Sequence, residues 1–144
     1  MDEEIGFDRI LLPTDGSEAS KKAARKAAHL SKSLNIPILA YHVLNTPQVS
    51  HASVSEVYPD FTEILKKEAD SIIENINKIA KEIGVTVESK IVEGYPDREI
   101  IKEANENDLI IMGSKGKSNL DRILIGSISE KVLHHSNSTV MIVR

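Results

Sequence analysis

The chain has no cysteine and no tryptophan. Without cysteine there is no disulfide framework, no thiolate metal site and no thiol nucleophile. Aromatic residues are scarce, two Phe and three Tyr, so the core has to be aliphatic. Proteins that grip single strands of nucleic acid do so on aromatic platforms, which this chain can hardly supply. A long run of positive charge is also missing. The densest stretch, Lys21, Lys22, Arg25 and Lys26, sits in a formal net charge of -4 and reads as the solvated face of a helix. No apolar run reaches the roughly 18 residues that would span a bilayer. The first residues, Met1 to Glu4, are acidic rather than basic, unlike a secretory leader. Nucleic acid and membranes are therefore not expected partners, and a cytoplasmic location is the default expectation.

At 144 residues, with 40% apolar and 28% charged residues, the chain fits one globular domain over 1–144. A domain of this size buries roughly 70% of the surface its unfolded chain exposes. Its elements alternate. Phe7 to Pro13 and Ile36 to Leu44 are continuous apolar runs, the pattern of strands buried on both faces of a parallel sheet. Between them, Ala23, Ala27, Leu30 and Leu34 recur at helical spacing from Glu18 to Leu34, with Ser17 at the N-cap. Asn45 to Pro59 shows no periodicity and reads as a mobile flap. Asp60 to Ile83 carries one stripe of Leu65, Ala69, Ile72, Ile76, Ile79 and Ile83 and ends at Gly84, placed for a left-handed cap. Val85 to Val92 alternates, which suggests a sheet edge. A helix follows from Pro96 to about Glu106, then a buried strand over Leu109 to Met112, a short helix over Ser127 to His135 and a last strand over Thr139 to Val143. Strands alternating with helices predict an α/β fold: a five-stranded parallel sheet with helices on both faces.

Ligands of such folds sit beyond the carboxyl ends of the strands. Two of those ends are unusual: Pro13-Thr14-Asp15-Gly16-Ser17, and the segment running from Met112-Gly113-Ser114-Lys115-Gly116-Lys117-Ser118 to Gly126-Ser127-Ile128-Ser129. Gly116-Lys117-Ser118 matches the end of a P-loop, but the glycine required five positions earlier is Ile111, so the match fails. The dinucleotide pattern G-x-G-x-x-G is absent as well. What remains is Gly113, Gly116 and Gly126 followed by Ser127, at offsets of three and ten. Glycines let backbone lie close to a ligand, and Gly126-Ser127 opens a helix whose free N–H groups and dipole attract an anion. Lys115 or Lys117 would add charge. Ser127-Ile128-Ser129-Glu130 is also a capping box, which needs no ligand, and Asp15-Gly16 is an ordinary turn pair. The conjunction of both loops at one sheet edge favours a phosphate site.

These residues resemble the universal stress proteins. Gly113, Gly116, Gly126 and Ser127 fit that family's nucleotide motif G-x2-G-x9-G-[ST], and the likeness covers nearly the whole chain, from Ile10-Leu11-Leu12-Pro13-Thr14-Asp15-Gly16-Ser17 through Gly94-Tyr95-Pro96 to the last third. The resemblance implies a Rossmann-like fold that binds ATP, with AMP or ADP as alternatives and Mg2+ or Mn2+ accompanying the phosphates. Pro13, Thr14 and Asp15 would border the ribose and adenine. Val43 would meet the adenine through its backbone, and Met112 and Gly113 would line the ribose. Lys115, Gly116, Gly126, Ser127, Ile128 and Ser129 would hold the phosphates. It further implies a homodimer paired through the last strand, Thr139 to Val143. Asp15 is the only carboxylate expected near the site, Glu130 being engaged in capping. His29, His42 and His51 lack metal-site spacing, and His134 and His135 belong on the surface. No catalytic group is assigned. The expected role is that of a regulatory or sensor protein with slow or no ATP turnover, against two alternatives, a nucleotide-transferring or hydrolysing enzyme and a ligand-free dimeric scaffold.

Overall fold

The computed structural model describes residues 6–45, 59–114 and 125–144. Their order is β1 (Arg9–Pro13), α1 (Glu18–Leu34), β2 (Ile38–Leu44), α2 (Pro59–Ile83), β3 (Val87–Glu93), α3 (Pro96–Glu103), β4 (Asp108–Gly113), α4 (Ser127–His135) and β5 (Thr139–Val143). All strand pairs are parallel, in the spatial order β3-β2-β1-β4-β5. The chain thus winds outward from β1 to β3, then crosses back to build β4 and β5 on the other side.

Side chains on successive strand residues point to opposite faces, so the apolar runs of β1 and β4 fill two cores. Ile10, Leu12, Leu109 and Ile111 pack with Ala23, Ala24 and Ala27 of α1 and Ile73 and Ile76 of α2. Leu11, Ile110 and Met112 pack on the other face with Ile100 of α3 and Val132 of α4. Burying an Ile or Leu side chain fully stabilises by about 2 kcal/mol, and Ile10, Leu11, Ile110 and Ile111 are wholly buried. The outer strands fall where their patterns suggested. On β3, Glu88, Ser89, Lys90 and Ile91 are exposed, while on β5 the run Val140 to Val143 is half-buried.

Several boundaries differ from the sequence reading. Helix α2 begins at Pro59, one residue earlier than expected; of the expected flap from Asn45, residues 46–58 lie outside the described residues. Strand β2 begins at Ile38, because Pro37 has no N–H to offer the ladder; its carbonyl accepts from Ile10 N–H at 2.8 Å. Helix α3 stops at Glu103 rather than Glu106. The Asp108 carboxylate accepts the Asn105 N–H at 2.9 Å, and the Asn105 carbonyl accepts the Asp108 N–H at 3.0 Å, a local turn that competes with further helix. Asp108 opens β4 at 1% exposure. There it takes two bonds from Arg9 across the sheet, at 2.9 and 3.0 Å.

Candidate functional site

The direction of winding reverses between β1 and β4, where open α/β sheets place their crevice. A cleft of about 500 Å³ lies there, within the size range of small-molecule sites. Its wall on the β1 side is Pro13, Thr14 and Asp15. Ser17 and Ser20 of the α1 turn complete that side. The turn is tight: Gly16 adopts φ +81°, and a Cβ there would meet the Ile72 side chain at 2.9 Å. Asp15 accepts the Ser17 N–H at 2.9 Å, and Ser17 in turn caps α1 by accepting the Ser20 N–H at 3.1 Å. One Asp15 oxygen is therefore engaged in the turn.

Met112 and Gly113, at the end of β4, form the floor, and Gly126, Ser127, Ile128 and Ser129 form the opposite wall. Ser129 is buried and donates its hydroxyl to the Gly113 carbonyl at 2.9 Å. The Gly126 N–H bonds the Ser114 carbonyl. These two bonds seat the start of α4 on the end of β4. The first backbone bond of α4 runs from Glu130 N–H to the Gly126 carbonyl, so the N–H groups of Ser127, Ile128 and Ser129 have no helical acceptor.

Val43 lines the cleft from β2. The Tyr41 carbonyl accepts the Thr14 N–H at 2.9 Å, and the Leu44 carbonyl accepts the Gly94 N–H at 3.0 Å. Backbone groups alternate sides along a strand, so Tyr41 and Val43 face β1 while His42 and Leu44 face β3. The pairing of β1 with β2 ends at Pro13 and Tyr41. The N–H and C=O of Val43 consequently project past the end of β1.

A family model described as the universal stress protein family matches residues 6–144. The chain belongs to the universal stress protein family. Universal stress protein MJ0531 of Methanocaldococcus jannaschii is 32% identical over 96% of this chain and 82% of its own length. Universal stress protein MJ0577 of the same organism is 32% identical over 97% of this chain and 96% of its own. The solved structure of the hypothetical protein MJ0577 has the same fold, with a TM-score of 0.83, 35% identity and 95% of each chain covered. Two more distant universal stress proteins share the fold. One, solved in complex with cAMP, has a TM-score of 0.69 at 24% identity, over 96% of this chain and 98% of that one. The other, from Archaeoglobus fulgidus and in complex with dAMP, has a TM-score of 0.67 at 18% identity, over 97% and 99%.

In this universal stress protein the ten expected site residues that are described all line the one cleft. Lys115 and Gly116 lie outside the described residues. One expectation needs correction. The capping box on α4 does not form: Gly126 is the N-cap, with no side-chain capping bond, and Ser127 is already the first helical residue. A bond between the Gly126 N–H and the preceding Ser114 carbonyl holds the entry without a side-chain cap. Glu130 is therefore not engaged there; it faces His134 at 3.9 Å on the exposed side of the helix. Gly113 is also needed for a reason other than ligand approach, since a Cβ on it would collide with the backbone of Ala19.

Other lining residues escaped the sequence reading. Tyr41, His42, Leu44 and Asn45 come from the end of β2, Leu65 and Glu68 from α2, and Pro96 and Ile100 from α3. The rule that places sites at strand ends could have found the β2 residues. Tyr41 is buried, and its hydroxyl donates to the Glu99 carbonyl at 3.3 Å. Its burial, helped by the negative charges of Glu103 and Glu99, pushes the phenol up to about 12. His42 places Nδ1 2.7 Å from the Thr14 carbonyl oxygen. The described lining includes Asp15 and Glu68 but neither Lys nor Arg.

Proposed function

We propose that this universal stress protein binds ATP, or AMP or ADP in its place, and acts as a nucleotide-dependent regulatory or sensor protein with slow or no turnover. The observation that carries the reading is the convergence on one cleft, at the reversal of the sheet, of residues chosen from two separate loops of the sequence. The cleft has what such a ligand needs. Val43 offers a donor and an acceptor for the edge of a base. Pro13, Met112 and Gly113 form a lining for the nucleoside. The N–H groups at the start of α4, which have no helical acceptor, suit phosphates. The cAMP and dAMP complexes belong to proteins of the same fold.

Charge sets the role of the metal. Asp15 and Glu68 stand near the cleft, and among the described residues no group of three His, Cys, Asp or Glu could hold an ion. Mg2+ or Mn2+ would arrive on the phosphates, screening them from those carboxylates, with Lys115 and Gly116 completing the phosphate side. We further propose a homodimer paired through β5 and a cytoplasmic location.

The test is a melting curve with and without magnesium and ATP. At a hundredfold excess over its dissociation constant a ligand adds about 2.7 kcal/mol of apparent stability, a shift on the order of 5 to 10 °C for a domain of this size. With EDTA the shift should shrink. No shift under either condition overturns the reading. Denaturing the purified protein and identifying any released small molecule tests the choice among ATP, ADP and AMP.

A further inference from the structure

We propose that His42 is a positioning residue whose ring occupies the Thr14 carbonyl and thereby holds the Val43 amide open for a purine base. The inference rests on the nucleotide reading of the cleft and adds the device that would give it base selectivity.

In a parallel ladder the bond after Thr14 N–H to the Tyr41 carbonyl would run from Val43 N–H to the Thr14 carbonyl. That bond is not made: Thr14 lies beyond the paired register of β1, and its oxygen accepts from His42 instead, at 2.7 Å. A carbonyl oxygen only accepts, so Nδ1 of His42 must carry the proton. Thr14 is restrained at two further points. Its N–H donates to the Tyr41 carbonyl at 2.9 Å, and its hydroxyl lies 3.3 Å from that of Ser20, which donates to the Ser17 carbonyl at 2.9 Å. Thr14 is buried, at 6% exposure, so the ring supplies a partner that water cannot readily replace.

The consequence falls on the next residue. Among the described residues Val43 keeps an unspent backbone donor and acceptor side by side, both on the β1 side of β2, toward the cleft. Adenine presents an acceptor at N1 beside a donor at N6 and matches that pair. Guanine presents the reverse, an acceptor at O6 beside a donor at N1, and does not. Without the ring, the donor that the parallel ladder offers the Thr14 carbonyl is the Val43 N–H; the ladder would extend by one bond and the base would lose its donor.

The test uses the full chain and three proteins: wild type, His42→Leu, which keeps bulk but loses the donor, and His42→Asn, whose amide nitrogen can donate from the position of Nδ1. Amide exchange is followed by NMR without nucleotide. In wild type and His42→Asn the Val43 N–H should exchange at least tenfold faster than in His42→Leu. The amides of Ile110 and Ile111 should stay slow in all three, which establishes that each is folded. Titration with magnesium ATP and magnesium GTP should show His42→Leu losing about tenfold in affinity for ATP, the worth of one hydrogen bond, with GTP unchanged; His42→Asn should restore the preference. Equal Val43 exchange in wild type and His42→Leu overturns the proposal, as does an unchanged ATP to GTP ratio in His42→Leu. If wild type binds neither nucleotide, the reading of the cleft fails, and the exchange comparison alone decides whether His42 governs the Val43 amide.

Discussion

A Cβ built on Gly113 would lie 2.6 Å from the carbonyl carbon of Ala19, so the end of β4 and the first turn of α1 meet backbone to backbone. Gly113→Ala should therefore destabilise the fold by about 2 kcal/mol through overpacking, whatever it does to a ligand. Denaturant unfolding without nucleotide measures this. A variant as stable as wild type would mean that α1 shifts freely, and the contact would carry no constraint.

Helix α4 starts without a side-chain cap, and two substitutions exploit this. Ser127→Ala should change stability by less than about 0.5 kcal/mol, since no cap is lost, yet should reduce the melting shift caused by magnesium ATP. Gly126→Asp puts a good capping residue at the N-cap and should leave the unliganded protein as stable or slightly more so. The same carboxylate faces the proposed phosphates and should abolish the shift. If Gly126→Asp shifts like wild type, the start of α4 does not hold phosphate.

The Arg9–Asp108 pair joins β1 to β4 with the carboxylate almost wholly buried. Asp108→Ala leaves Arg9 its bonds to the Glu103 carboxylate and carbonyl, at 3.3 and 2.9 Å, but removes its two bonds to Asp108 and the acceptor of the Asn105 N–H; it should cost about 2 kcal/mol. The double variant Arg9→Met, Asp108→Leu should recover part of the loss, because Glu103 keeps Lys90 at 3.0 Å, while the Asn105 N–H still lacks its acceptor. Equilibrium unfolding of the single and double variants gives the comparison. A double variant no more stable than the single would count against this account.

Tyr41 predicts an alkaline limit. Its folded-state value of about 12 lies above the ordinary value near 10. The folded state thus holds the phenolic proton more tightly than the unfolded state. The corresponding stability is fully present below about pH 10 and is lost as pH rises from there through about 12. Unfolding free energies across that range should fall more steeply for wild type than for Tyr41→Phe. Parallel slopes would rule out Tyr41 as the group responsible.

Strand β5 forms an outer edge of the sheet with a half-buried apolar run, and uncovered edges of that kind invite pairing. Light scattering should give about twice the 15.9 kDa of one chain, and Val140→Lys should shift the population toward monomer. A monomer at micromolar concentration, unaffected by the substitution, would remove β5 as an interface.

Much of the architecture was legible because its causes are local. The apolar runs of β1, β2 and β4, the Ser17 cap and Gly84, which adopts φ +96°, all follow from patterns a few residues long. Glycine spacing and the rule about strand ends pointed to the two loops, while the place of Val43 in the lining was implied by the family resemblance. What sequence could not display depends on partners far along the chain. Arg9 and Asp108 stand 99 residues apart and meet only once β1 and β4 are neighbours. Glu68 and Leu65 reach the cleft because α2 packs over β2. His42 looked idle when judged by metal spacing, whereas its bond is to a backbone oxygen on another strand. The start of α4 was misread because a capping box is written in side chains, and here a backbone bond to Ser114 holds the entry.

The ion pair clasps the N-terminal ends of β1 and β4, and the cleft opens at their C-terminal ends. Those ends are separated by the length of a five-residue strand, roughly 15 Å. At that separation substitutions add without interfering. The rim of the cleft can thus be rewritten, turn by turn, while the opposite pole keeps the sheet in register. A scaffold divided in this way can exchange one small molecule for another without refounding its core, and libraries that vary Asp15, Asn45 and Ser127 against a fixed Arg9–Asp108 pole would sample ligand preference with little loss of folded protein.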